Sequence, residues 1–248
     1  MKYNTKFFDA QSSGSVRSAQ KVVPTVIRLL EPRSVLDVGC GRGGWLRVAA
    51  DNGINEIFGV DGAWAEKAGL LIDRDRFLTH DLGTPFDLGR KFDLAMTLEV
   101  AEHITAASAD TFVDNLCRHS ETILFSAAVP GQGGVLHVNE QPLGYWVGKF
   151  ARHGLVVVDV LRPLFWADDD IGPCYRQNIV MFAGSARAAA IRDAAARMFG
   201  APAAPLDVVH PQLLKERADY MAFSPIVRVK FAAKLLLSLF DSSYRTSL

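Results

Sequence analysis

Two stretches of the chain hold residue types whose spacing suits chemistry. The first is Val35-Leu-Asp-Val-Gly-Cys-Gly-Arg-Gly-Gly-Trp-Leu46. Its glycines, Gly39, Gly41, Gly43 and Gly44, let the backbone take positive φ and approach a ligand with no Cβ in the way. Helical apolar spacing resumes over Trp45 to Ala50, and a helix start offers unpaired N–H groups to polar or anionic atoms. Asp37 lies two residues before the first glycine. A carboxylate there repels a pyrophosphate and suits a cationic, amine-bearing ligand. The second stretch runs from Glu99 through Glu102 and His103 to Ile104. A helix beginning at Glu99 puts Glu99, Glu102 and His103 on one face through i, i+3 and i+4 spacing. Carboxylates and an imidazole gathered in this way favour a divalent cation, Mg²⁺ or Mn²⁺, as their partner. Without an ion, Glu102 and His103 position a substrate or take its proton. His137 lies in the run Pro130-Gly-Gln-Gly-Gly-Val-Leu-His137-Val-Asn-Glu-Gln141, on the loop after the fifth predicted strand, which hangs over the same cleft.

The elements that must position these groups follow from hydrophobic patterning. Ala19 to Leu30 carries a helical stripe of Val22, Val23, Val26, Ile27 and Leu30, stopped by Pro32. Ser34 to Val38 reads as a buried strand, and Glu56 to Val60 as a second that ends at Asp61. One βαβ unit after Asp37, Asp61 stands where nucleotide folds place an acid against ribose hydroxyls; a helix-cap aspartate is the other reading. Short strands follow at Arg76 to Thr79 and at Phe92 to Leu98, the latter running into Glu99, and Thr122 to Ala127 is the fifth. His119, at a helix end among polar residues, reads as solvated. The 130–146 loop is too polar and glycine-rich for core, and its Gly-Gln-Gly-Gly segment reads as a source of mobility. Pro142 opens a helix that stops at Gly154. Leu155 to Leu161 and Tyr175 to Ala183 are the sixth and seventh strands, separated by an acidic, aromatic loop from Pro163 to Pro173. Asn139 and Gln141 beside Tyr145 and Trp146 combine amides with aromatic faces, which suits a sugar or polyol; Tyr145 and Trp146 also fit plain helix–sheet packing.

Composition narrows the classes. The chain has 248 residues, 49% hydrophobic and 22% charged, ordinary values for a globular protein with one main domain and appendages. Lysine plus arginine and aspartate plus glutamate each number 27, so no global field favours nucleic acid. Cys40, Cys117 and Cys174 form no C-x-x-C pair, which points to reduced thiols and a cytoplasmic setting. No run reaches the ~18 apolar residues of a membrane span.

Asp-x-Gly-x-Gly with Asp61 resembles motif I and its partner acid in the class I S-adenosylmethionine (SAM) methyltransferases. The resemblance covers residues 19–184. It implies an α/β fold, a Rossmann-like seven-stranded, mostly parallel sheet with helices on both faces and its last strand antiparallel. It also implies a SAM site made by Asp37, Gly39, Cys40, Gly41, Asp61, Gly62, Asp81, Leu82, Leu98 and Glu99, with Asp81 reading the adenine. The segment Glu99 to His103 resembles the E-x-x-E-H of ubiquinone-pathway O-methyltransferases and small-RNA 2′-O-methyltransferases. There it contributes metal ligands, which implies Glu99, Glu102, His103 and His137 here. Similar segments occur in methyltransferases without metal, leaving His103, His137 and Glu102 as acid–base groups. His137 to Gln141 followed by Tyr145 and Trp146 resembles bacterial enzymes of glycan and secondary-metabolite pathways. The expected activity is therefore methyl transfer from SAM to a hydroxyl of a sugar, glycan or polyol-like molecule. N- or C-methylation of a small metabolite, or a non-catalytic SAM-binding partner, are the alternatives. A NAD-dependent oxidoreductase matches the loose G-x-G-x-x-G over Gly39, Gly41 and Gly44, but Asp37 and the lack of a hydride-handling tyrosine–lysine pair stand against it.

The expected organisation is a lid or loop over 1–18, the SAM-binding domain over 19–184, and C-terminal helices over 185–248. The last of these, 225–240, is basic and amphipathic, with Ile226, Val229, Leu236, Leu237 and Phe240 among Arg228, Lys230 and Lys234. Such a helix serves as a contact with the inner face of a membrane or packs on the domain or a second copy.

Overall fold

The computed structural model of the chain describes residues 5–200, 209, 210 and 213, and residues 5–13 by their backbone alone. The expected basic amphipathic helix over 225–240 lies outside the described residues.

Seven strands form one sheet in the order β3-β2-β1-β4-β5-β7-β6. They are β1 (Ser34–Val38), β2 (Glu56–Asp61), β3 (Phe77–Thr79), β4 (Leu94–Leu98), β5 (Thr122–Ser126), β6 (Leu155–Val158) and β7 (Val180–Gly184). Strands β1 to β5 pair in parallel, and β7 runs antiparallel between β5 and β6. β1, β4 and β5 are buried at every residue, as sheet covered on both faces requires. The covers are α1 (Thr5–Leu30), α2 (Gly44–Asp51) and α8 (Ser185–Phe199) on one face, with α4 (Ala109–His119) and α5 (Leu143–Ala151) on the other. α3 (Ala63–Lys67), α6 (Leu161–Phe165) and α7 (Pro173–Asn178) are single turns or little more. The chain thus has the class I methyltransferase fold expected from its sequence, with the last strand reversed. Among the described residues no helix is long and apolar enough to cross a membrane.

Three local expectations change. The polar stretch before Ala19 is not a loop or separate short helix; from Thr5 onward it is continuous with the helix ending at Leu30. Tyr175 to Asn178 is the end of α7, not the start of β7: Pro173 supplies a helical first turn, and Tyr175, Arg176, Gln177 and Asn178 are all buried. His119 is fully buried: its Nε2 accepts the Leu88 N–H at 2.9 Å, Nδ1 is 2.6 Å from the Asn115 carbonyl, and the ring stacks on Phe86. A buried imidazole with both nitrogens partnered is a structural group.

Strand order reverses between β1 and β4, and open α/β sheets bind ligands in the crevice outside the carboxyl ends at such a switch. Here the loops after the two strands touch. A Cβ on Gly39, whose φ is +86°, would fall 2.4 Å from Cγ2 of Val100. The first motif glycine is required both by its backbone conformation and by this contact.

Candidate active site

The residues read as cofactor-binding line the carboxyl edge of the parallel strands. Asp37 is the penultimate residue of β1, with Gly39, Cys40 and Gly41 just beyond it. Asp61 ends β2 and Gly62 follows; Asp81 and Leu82 come just after β3; Leu98 ends β4 and Glu99 follows. Asp37 is 3% exposed, and no hydrogen bond or ion pair among the described residues reaches its carboxyl group. Burial, and then the charge of Asp61, push its pKa up to about 8. Such a group gains a great deal from a cation set beside it.

Asp61 is held differently. Its Oδ2 accepts the Gly41 N–H at 2.7 Å and its Oδ1 the Gly62 N–H at 2.6 Å, so it braces the glycine loop against the end of β2. Burial raises its pKa to about 6, against the opposing pull of these two amides and of Trp64. Asp81 is exposed and accepts the Gly83 N–H, while Leu82 is buried in the core. The Cys40 thiol is buried against Gly59, where a Cβ would lie 2.6 Å from its sulfur, and burial drives its pKa upward. Trp45, in the first turn of α2, donates its indole N–H to Ser15 Oγ at 2.8 Å, and Ser15 in turn bonds Tyr175 Oη at 3.1 Å. This join between α1, α2 and α7 had no signature in the sequence.

The helical face expected at Glu99 is not formed. Glu99 has φ +57°, and only a short 3₁₀ turn, Ala101–His103, follows. A left-handed residue breaks the i, i+3, i+4 relation, and the Glu99 side chain points elsewhere. Its carboxylate accepts Gln132 Nε2 at 2.7 Å and Asn178 Nδ2 at 3.0 Å, and its N–H meets Ser126 Oγ at 3.0 Å. Burial raises its pKa, with Asn178 and Gln132 acting against that rise. Glu99 therefore stands outside the group of ligand atoms in which the sequence placed it. Gln132 and Asn178, which hold it, escaped notice because each is an unremarkable amide far away in sequence.

Glu102, His103 and His137 do come together, their donor atoms all within 4.8 Å of one another. The loop that brings His137 is tied down where it matters: the N–H groups of Val138 and Asn139 both bond the Glu102 carbonyl, at 2.9 and 3.0 Å. The two imidazoles meet edge to face with centroids 4.9 Å apart. His103 Nδ1 lies 3.2 Å from the Leu136 carbonyl, and His137 Nδ1 lies 2.8 Å from Glu140 Oε1. Each Nδ1 thus faces an acceptor, leaving each Nε2 for the common space; His137 Nε2 is 3.9 Å from Glu102 Oε1. Glu102 is 1% exposed, and its Oε2 has no hydrogen-bond partner among the described residues. Burial first, then the charge of Glu99, raise its pKa to about 9. Partial burial and the neighbouring His137 lower that of His103. An orphaned carboxylate oxygen beside two imidazoles fits a divalent ion, and the imidazoles favour Mn²⁺ over Mg²⁺.

The last glycine of the Gly-Gln-Gly-Gly segment has a steric role. A Cβ on Gly134 would lie 2.1 Å from Nε2 and 2.3 Å from Cε1 of His137. Gly134→Ala should therefore displace the imidazole; if His137 handles a proton in the reaction, turnover should fall about 100-fold. SAM affinity, measured by calorimetry, should stay as it was.

The expected acceptor residues divide. Asn139 is buried; its Oδ1 accepts the Gln141 Nε2–H at 3.0 Å, and its Nδ2 has no partner among the described residues. Tyr145 is half-buried under the Lys149 ammonium. Trp146 is 1% exposed and packs on Phe125, so it is no open platform. Its ring instead forms part of the wall of a cavity of about 190 Å³, together with Phe125, Ala127, Val129 and Asn178.

Comparison with known proteins bears on the fold that carries these residues. Residues 16–127 match the family described as a methyltransferase domain. No curated protein matches the sequence. Among solved structures, the methyltransferase domain of bacterial CtHen1-C aligns with TM-score 0.51 and 17% identity, covering 68% of this chain and 98% of that one. A sugar N-methyltransferase from Streptoalloteichus aligns with TM-score 0.53 and 17% identity, over 68% of this chain and 87% of its own. The magnesium protoporphyrin IX methyltransferase of Synechocystis, with bound S-adenosylhomocysteine, aligns with TM-score 0.51 and 19% identity, over 70% and 84%. The chain has the fold of the class I SAM methyltransferases, and its residues 16–127 carry the methyltransferase-domain signature.

Proposed function

We propose that the protein is a SAM-dependent methyltransferase acting on a hydroxyl of a sugar, glycan or polyol-like small molecule. The observation that carries this reading is the convergence of Glu102, His103 and His137, with both Nδ1 atoms engaged, at the strand ends that also carry Asp37 and Asp61. In this reading Asp37 faces the amine of SAM, Asp61 the ribose through the lone pairs its amide bonds leave free, and Asp81 the adenine. The glycine loop lets the backbone approach the ligand closely. SAM supplies an activated methyl group, and the chain's task is alignment and deprotonation.

Glu102, His103 and His137 would hold Mg²⁺ or Mn²⁺, and such an ion, when bound, lowers the pKa of a hydroxyl beside it. Without an ion, the Nε2 lone pair of His137 or His103 accepts the hydroxyl proton directly. Asn139, Gln141 and Tyr145 border the place where the acceptor would lie. The cavity walled by Trp146 has room for about one ring of it. The neighbouring folds include N- and porphyrin methyltransferases, so the choice of hydroxyl rests on the acid–imidazole group and not on the fold.

Calorimetric titration of SAM and of NAD into chelator-treated protein, repeated with Mg²⁺ and Mn²⁺, tests the reading. SAM binding without NAD binding is the expected result, and tight NAD binding would overturn it. Methyl transfer to a panel of sugars and polyols, followed by product NMR, then decides the atom; a product methylated only at nitrogen or carbon would refute the hydroxyl assignment.

A further inference from the structure

The glycines of the 130–134 run do something specific. Gly131 and Gly133 have φ of +84° and +70°, which turns their N–H groups inward onto one carboxylate. Glu140 Oε2 accepts the Gly131 N–H at 2.7 Å, and Glu140 Oε1 accepts the Gly133 N–H, also at 2.7 Å. The intervening Gln132 N–H turns away to the Val129 carbonyl, so two alternate amides close on one carboxylate as backbone N–H groups do around a bound anion. Here the anion belongs to the chain itself, seven to nine residues further on.

That carboxylate has a third partner, His137 Nδ1, at 2.8 Å from Oε1. A group already accepting two amide hydrogens presents only acceptor capacity to the ring, so the proton of the neutral imidazole sits on Nδ1. The Nε2 lone pair then faces Glu102 Oε1. Imidazoles that bind metals or take protons are oriented in this way by an acceptor behind them. The ring also packs against Gly134, where a Cβ would overlap it, so its position as well as its tautomer is fixed.

We infer that Glu140 is the positioning residue of this site: held by the Gly131 and Gly133 amides, it selects the Nδ1–H form of His137 and aims Nε2 at Glu102 and His103. The inference deepens the proposed function, since it rests on Glu102, His103 and His137 being the reacting group. The role is to orient; Glu140 itself need touch neither substrate nor ion.

Two readouts on the full-length protein separate this from a purely structural part. The first is the ¹⁵N shifts of the histidine side chains in metal-free protein at pH 8, with the His137 signal identified by its loss in His137→Gln. Wild type should show His137 as Nδ1–H. Glu140→Leu should shift it towards the Nε2–H form, and Glu140→Gln, which keeps an acceptor oxygen, should retain the wild-type pattern. The second is Mn²⁺ titration, where Glu140→Leu should weaken binding by about 10- to 100-fold and Glu140→Gln by less than about tenfold. SAM affinity, unchanged in both variants, reports that the fold survives.

Wild-type His137 found as Nε2–H, or a tautomer unmoved in a folded Glu140→Leu, would overturn the inference. If wild type takes up no Mn²⁺, the metal reading falls while the ¹⁵N result still decides the role of Glu140. If Glu140→Leu does not fold, the wild-type tautomer alone decides it.

Discussion

Asp37→Asn should lower SAM affinity about 100-fold while making the empty protein more stable in alkaline solution. The two effects share one cause. With no cation beside it, the Asp37 carboxyl is buried and has no partner among the described residues, and its pKa is pushed up to about 8. The amine of a bound ligand requires the ionised form, and a hydrogen bond to a charged group contributes about 1.5–3 kcal/mol, close to the stated factor. Binding should therefore release a proton. At pH 7, calorimetry in buffers of different ionisation enthalpy should show nearly one proton released per SAM, and affinity should climb until about pH 8. Asparagine abolishes both signatures.

The stability effect follows from linkage. A carboxyl whose folded pKa is raised from 3.8 to about 8 stabilises the fold fully below the unfolded value and loses that contribution as pH rises through this window. Asparagine has nothing to ionise. Its melting temperature should match or fall below wild type near pH 4 and exceed it at pH 8.5. Unchanged proton release in the variant would assign the titration to another group, Asp61 being the nearest.

Glu102→Gln should abolish activity by 10²- to 10⁴-fold and remove Mn²⁺ uptake, without loss of fold. Glutamine copies the protonated carboxyl that predominates in the empty site up to about pH 9, so circular dichroism and melting at pH 7 should change little. The wild-type group contributes stability below its unfolded pKa, 4.5, and loses it as pH climbs towards 9. The variant should therefore be the more stable protein at pH 9. An ion needs the carboxylate ionised, so wild-type Mn²⁺ affinity should increase about tenfold per pH unit below pH 9. Full activity in Glu102→Gln would remove the acid–imidazole group from the chemistry.

Legibility in the sequence followed the physics of each signal. The parallel core was readable because β1, β4 and β5 are buried on both faces and so appear as short, mostly apolar runs with few polar residues. The motif glycines and Asp37 were readable because chemistry fixes their spacing within a dozen residues. Glu99 misled because helical periodicity assumes a helix, and one left-handed residue cancels it. Tyr175 to Asn178 misled because buried polar groups on a short helix give no apolar period. His119 was read as solvated for want of knowing what packs against it, and the same lack left Trp146 open between an acceptor platform and helix–sheet packing. Glu140 was invisible as a positioning group, since nothing local says that two glycine amides will fold back onto it.

The 131–138 loop is fastened at three points: Gln132 to Glu99, the Glu140 carboxylate to the Gly131 and Gly133 amides, and Val138 and Asn139 to the Glu102 carbonyl. A displacement of this segment would therefore act on three groups at once: it would carry away His137, release Glu99 from Gln132 and uncover Glu102. The geometry of the acid–imidazole group is thus a property of the loop's backbone bonds as much as of the three side chains themselves.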